Sequence, residues 1–345
     1  MKKKLPVKDP NTFISYKPFD TSRIAMLLAQ EKTCKELYEN FIHYRIEKVG
    51  DEDKMELDCH FNEEFSSIGI KKIPIDLLLG MKINFIEFCK ESIDRNFYLF
   101  IPIETSEISN YSVYKKKKVP HHIFVYGYDD EKQVFECSEF FSFSDQGYSF
   151  ESVSYKEMEN AFMDLQNQTK PEMMNNEHLQ WLKDIQLLHS FTEYKDKFTV
   201  QRVQIGLQNY LNERDCFGNK DYLKDVYYGY AIYDLLKEYV EQIIEKDREV
   251  FDIRSFYLIY LHFRYLRLQA EFLNDNYDKE KHGLVPFIEK FFELEQTSYK
   301  LTSLALKYGI TRKKSILVRV SKLILDLKEE DEKVLESYID YLESI

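Results

Sequence analysis

The sequence predicts an α+β domain followed by an all-helical domain, and three observations carry that prediction. Runs rich in apolar and aromatic residues, "FYLFIPIE", "HHIFVYGYD" and "QVFECSEFF", lie within the first 141 residues and have the length and composition of strands. Beyond residue 197 the apolar residues recur at three- and four-residue spacing through long segments joined by short loops. Between the two regimes stands the polar stretch "QNQTKPEMMNN", which holds Pro171, alone between Pro120 and Pro286. The expected division is a domain over 1–165, a linker over 166–176 and a helical domain over 177–345.

From the N-terminus, a Lys- and Pro-rich arm leads to "PFDTSRIAMLL", where Asp20 or Thr21 is placed to cap a helix whose stripe begins Ile24, Leu27, Leu28 and resumes after a break at Leu37, Phe41 and Ile42. "PIDLLLGMKINFIEFCKESIDRN" predicts a buried helix or helix pair, and "FYLFIPIE" an interior strand, since both of its faces are largely apolar. In the next run Ile123, Val125 and Gly127 fall on one face, and His122, Phe124, Tyr126 and Tyr128 on the other. Asp129 to Glu131 turn the chain into the partner strand. Helices are expected near 197–213, 218–246, 251–275, 283–308 and 311–345, with Asp252 near a cap, and "KEEDEK" at 328–333 as a solvated helix surface.

With 44% hydrophobic and 31% charged residues and few glycines and prolines, the chain is globular in composition. A net charge of −12 argues against a general nucleic-acid partner, and the same field opposes a DNA-reading role for "LALKYGITRKKSILVRVSKLI". The apolar runs fall short of the roughly 20 residues of a membrane span, so no membrane partner is expected. The five cysteines form no CxxC pair, which predicts neither a disulfide framework nor a thiolate metal site. Residues Met1 to Lys8 are basic but lack the apolar run of a secretory signal, so a cytoplasmic protein is expected. GxGxxG, P-loop, HExxH and EF-hand patterns do not occur, so no nucleotide, zinc or calcium cofactor is expected.

"VPHHIFVYGYDDEKQVFECSEFF", with "SVSYKEMENAF" after it and "NFYLFIPIETSEIS" before it, resembles the butirosin-biosynthesis acyltransferase family, a branch of the papain-like cysteine-peptidase folds. "VQIGLQNYL", "YYGYAIYDLL" and "DIRSFYLIYLHFRYL" are similar to the helical extension of relatives encoded beside non-ribosomal peptide and polyketide assembly lines. The resemblance implies a papain-like N-terminal domain and transfer of an acyl or aminoacyl group, or amide or thioester hydrolysis, on a carrier-protein-bound intermediate in natural-product biosynthesis. It implies an acyl or peptidyl carrier protein as partner, its phosphopantetheine arm entering as substrate, and a small-molecule or peptidyl acceptor. A catalytically inactive relative that binds a carrier protein or small metabolite is the alternative.

Such chemistry needs a thiol, an imidazole that raises its thiolate fraction, and an acid or amide that orients the imidazole. His122 matches the family histidine, with His121 as runner-up because adjacent strand residues point oppositely. Glu139 is the expected orienter, with Glu136 as the alternative. The family cysteine slot, around Phe19 to Ser22, holds no cysteine, which leaves Ser22 or the displaced thiols Cys59 and Cys34 as candidate nucleophiles. Lys115, Lys116, Lys117 and Lys118 are expected to meet a pantetheine phosphate or an acidic carrier face, and Tyr126 to line the substrate cleft.

Overall fold

The chain divides into two units, and neither is continuous in sequence: Met1–Cys34 joins Phe65–Asp196, and Lys35–Glu64 joins Lys197–Ile345. The computed structural model describes residues 1–40, 44–49, 56–61, 65–142, 147–168, 181–191, 198–215, 226–246, 251–279 and 281–345. The expected cut at 166–176 is displaced, because residues 184–190 return to the sheet of the first unit and residues 35–64 leave it; 169–176 lie outside the described residues.

In chain order the strands are β1 (Lys2–Lys4), β2 (Tyr44–Val49), β3 (Glu56–Phe61), β4 (Ile68–Pro74), β5 (Tyr98–Glu104), β6 (Pro120–Asp129), β7 (Val134–Glu139), β8 (Ser149–Ser154), β9 (Asp184–Ser190) and β10 (Val226–Tyr228). The α-helices are α1 (Pro18–Leu28), α2 (Leu37–Asn40), α3 (Ile75–Gly80), α4 (Phe85–Asp94), α5 (Tyr155–Gln168), α6 (Val200–Leu211), α7 (Ile232–Lys246), α8 (Arg254–Asn276), α9 (Val285–Thr311) and α10 (Lys314–Leu342). The α+β class and the helical C-terminal region are as the sequence predicts.

The first unit is built on an antiparallel sheet in the order β4-β9-β5-β6-β7-β8, with β1 paired to the far half of β6. Every residue of β5 is buried, as expected of an interior strand. One face of β5 and β6 stacks Phe100 on His122 and Tyr98 on Phe124, and Phe19 of α1 packs on Phe100. Helices α4 and α5, joined by the stacked rings of Phe85 and Phe162, also pack on the sheet.

Two local expectations change. Helix α1 starts at Pro18, whose missing N–H costs nothing in a first turn. Asp20 and Thr21 therefore lie inside the helix, where Asp20 pairs with Arg23 and Thr21 donates to the Lys17 carbonyl. In β6 the pairing with β7 shifts between Val125 and Gly127, a bulge that leaves Tyr126 as the extra residue. Val125 faces Cys137 and Tyr128 faces Phe135, so the alternation reverses and Tyr128 joins the face of Val125 instead of that of His122. Gly127 is held to glycine by β1: a Cβ there would stand 2.8 Å from the Lys3 carbonyl oxygen.

In the second unit β2 pairs with β3 and β10, and the long helices pack around them. The helix expected over 218–246 begins only at Ile232, because Val226–Tyr228 is recruited as an edge strand on β2; residues 218–225 lie outside the described residues. At α8 the cap residue is Ile253, which makes no side-chain cap bond; Asp252 stands just before it, near the cap as expected, and accepts the N–H of Arg254, the first helical residue, at 2.8 Å.

The core of this unit contains a polar hub. Asp331 of α10 accepts hydrogen bonds from the hydroxyls of Tyr210 (3.1 Å, α6) and Tyr233 (2.9 Å, α7) and from Nε2 of His262 (3.1 Å, α8). The His262 ring stacks on Tyr210 and meets the edge of Tyr44 from β2. Burial pushes both tyrosine hydroxyls well above their ordinary range, and the Asp331 charge adds to the effect. "KEEDEK" is thus not a uniformly solvated surface: Asp331, in its middle, is fully buried.

Candidate functional site

Strand register separates the two residues expected to act together. Phe124 pairs with Ser138 and Val125 with Cys137, so Glu139 falls on the Val125 face, whereas His122 is on the Phe124 face. The carboxylate behind the expected base is therefore absent from its side of the sheet. Glu139 meets His121 instead, with Oε2 3.8 Å from Nδ1 of that ring. Glu136, the alternative orienter, stands opposite Gly127 and pairs weakly with Lys4.

His122 is enclosed. Its ring stacks on Phe100 at 4.3 Å between centroids and lies against Trp181 at 4.6 Å. Nε2 has no hydrogen-bond partner among the described residues. Burial, with the neighbouring His121 adding to it, drives the imidazole pKa down to about 3, against a small opposing effect of a hydrogen bond with the Trp181 backbone. At neutral pH this ring is a neutral aromatic packed among aromatics.

Ser22 sits in the second turn of α1 and is buried. Its hydroxyl donates to the Pro18 carbonyl at 2.7 Å and shares a 2.8 Å bond with the hydroxyl of Tyr148, which is in turn 2.9 Å from Ser138 Oγ. With its single proton given to Pro18, Ser22 accepts from Tyr148, and Tyr148 accepts from Ser138. The chain of hydroxyls is closed on itself and includes no imidazole. A nucleophile bonded to its base, the first geometric requirement of covalent catalysis, is not formed by Ser22 and His122.

The other candidates fall as follows. Cys59 lies on β3 opposite Ile46, in the second unit, and its side chain is outside the described residues. Cys34 directs Sγ to the Glu31 carbonyl at 3.1 Å. Cys89 and Cys137 are free thiols in the core, pushed far above the ordinary thiol range by burial, and Cys216 lies outside the described residues. Tyr126 is 1% exposed, with its ring against Phe150 and Lys4, which removes it from any substrate cleft. Of the lysine run, Lys115 covers the Tyr114 ring, Lys116 donates to the Ser112 carbonyl and Lys118 pairs with Asp164, while Lys117 is exposed with no partner among the described residues.

Glu139 is strongly perturbed by burial. It is fully buried; Oε1 accepts the Phe140 N–H at 2.7 Å, and Oε2 has no hydrogen bond. Burial raises its carboxyl well above the ordinary range and lowers His121, so both shifts work against an ion pair between them. A carboxyl whose folded-state pKa exceeds its unfolded value stabilises the fold at low pH and loses that contribution as pH rises through the interval. Glu139→Gln is therefore expected to raise the melting temperature at pH 8 and to change it little at pH 4. Circular-dichroism melts at both values check this; equal shifts at the two would contradict it.

Trp181, the lid on His122, and the Ser138–Tyr148 hydroxyl pair were not singled out by sequence pattern. The signal available for the first is that it is the chain's one tryptophan. No protein-family model matches this chain, and no curated protein matches it either.

Proposed function

We propose that this chain is a binding protein on a papain-like scaffold that has given up covalent chemistry, and that it holds a carrier protein or a small acyl metabolite without bonding to it. The observation that carries this reading is the ring of His122, clamped between Phe100 and Trp181 with its pKa near 3. A thiol of ordinary pKa, about 8.5, would have to give its proton to a base more than five units weaker. Ser22, the hydroxyl nearest the family's cysteine slot, has its proton committed to Pro18. The exposed Lys117 and its neighbours supply a cationic edge for the acidic face of a carrier, as the resemblance implies.

The reading is tested by incubating the full chain with an acylated carrier protein and following both intact mass and association. No acyl adduct, with a carrier-dependent rise in melting temperature that Lys117→Glu weakens, is expected. A stable adduct, or thioester turnover lost in His122→Ala, would return the chain to the acyltransferases.

A further inference from the structure

The charge of this chain is unevenly placed. Between Glu295 and Asp326 there are seven lysines and arginines and no carboxylate, on a protein whose net charge is −12. That segment is the turn-proximal half of the helical hairpin formed by α9 and α10. Tyr299 and Ser303 of α9 line one groove with Arg319, Lys322 and Leu323 of α10, so these rows open to the same side.

The rows are apolar where a surface helix is ordinarily polar. On α9, Phe292, Tyr299, Leu306 and Ile310 recur at seven- and four-residue spacing and are 51%, 56%, 48% and 76% exposed. On α10, Val318 and Leu325 are 64% and 45% exposed, and Lys322, Glu329, Glu336 and Asp340 continue the same row. The charges along it change sign: Lys300, Lys307, Arg319 and Lys322 stand toward the turn, and Glu289, Glu336 and Asp340 stand away from it. None of these seven forms an ion pair with a described residue. At the acidic end Lys290 and Lys333 already engage Glu293, Glu329 and Glu330, whereas Glu289, Glu336 and Asp340 have no ion pair among the described residues.

We infer that this face of α9 and α10 is a two-fold interface between two copies of the chain, the basic end of each lying on the acidic end of the other. A two-fold relation requires the pairs to share one centre, because residue i meets j while j meets i. The residue midway between Lys322 and Glu336 is 329, and Arg319 and Asp340 have their midpoint beside it. On α9 the midpoint of Phe292 and Tyr299 falls between residues 295 and 296. Phe287 and Phe291 both touch Tyr338, and Lys290 pairs with Glu330, so residues near 295 of α9 lie abreast of residues near 329 of α10. A single axis across the hairpin thus sets Lys322 on Glu336, Arg319 on Asp340 and Phe292 on Tyr299 of the second copy. Overall like charge opposes association, so the pairing rests on this face. A lipid surface would match the basic end and the apolar row, but would be repelled by the carboxylates that continue it.

Sedimentation equilibrium of the full chain tests the inference. The wild type is expected at twice 41.6 kDa. Arg319→Glu with Lys322→Glu in one chain, and Glu336→Lys with Asp340→Lys in another, are each expected to give monomers with unchanged helical circular dichroism. Mixed in equal amounts, the two variants are expected to form a dimer again, since both sets of pairs are then complementary. A wild type that stays monomeric to its solubility limit overturns the inference. So do variants that remain dimeric, folded variants that fail to pair on mixing, and a wild-type monomer that binds anionic vesicles.

Discussion

Asp331→Ala is expected to lower the unfolding free energy by about 3–5 kcal/mol, the cost of breaking a buried charged network by removing one member. Three donors from three different helices, Tyr210, Tyr233 and His262, converge on this one carboxylate and would be left buried without an acceptor. Each such orphan costs about 1–3 kcal/mol when taken singly, and the three do not add, because they share one partner. Asp331→Asn preserves the shape and one acceptor oxygen, and is expected to cost less than the alanine. Tyr233→Phe is expected to cost about 1 kcal/mol in the wild type and close to nothing once Asp331 is alanine. Urea unfolding of the four proteins measures this cycle. A loss below about 0.5 kcal/mol for Asp331→Ala, within the range of an ordinary surface change, would show that water replaces the carboxylate.

The hub was legible in the sequence, but under the wrong heading. "KEEDEK" reads as a charge run, and charge runs on helices are ordinarily solvated. Helical spacing says otherwise: Ile324, Leu327, Asp331, Leu335 and Tyr338 recur at three and four residues, and all five are buried. Composition of a short window hid what its period showed. The long helices α8, α9 and α10 and the pair α3 and α4 were legible from the same three- and four-residue spacing, whose positions are mostly apolar. Strand β9 and the excursion of residues 35–64 were not, because which sheet a short strand joins depends on partners far away in sequence. In the candidate site, period-two reasoning correctly set His121 and His122 on opposite faces. It could not say which of them Glu139 joins, because that depends on the register between β6 and β7. One residue of register decides whether the acid supports His122, stacked on Phe100, or His121 on the other face.

His122→Phe is expected to gain about 3 kcal/mol of stability relative to the wild type as pH falls from 8 to 4, by proton linkage. The imidazole has a pKa of about 3 in the folded protein, against about 6.5 for an unperturbed histidine. Because the folded value is the lower one, the unfolded chain binds the extra proton first. The contribution of this site is complete above pH 6.5 and is lost by about 1.4 kcal/mol for each unit that pH falls below it, until the folded value is reached. Phenylalanine keeps the ring contacts with Phe100 and Trp181, gives up the hydrogen bond with the Trp181 backbone, removes an Nε2 that has no partner among the described residues and has no proton to bind. Denaturant titrations of both proteins across this range give the difference directly. Curves that run parallel would mean that the wild-type ring takes up its proton without unfolding, which requires water or an acceptor beside it. That result would restore His122 as a working base and remove the ground for a chain without covalent chemistry, whereas divergence in acid identifies the ring as a packed aromatic that stays neutral in the folded protein.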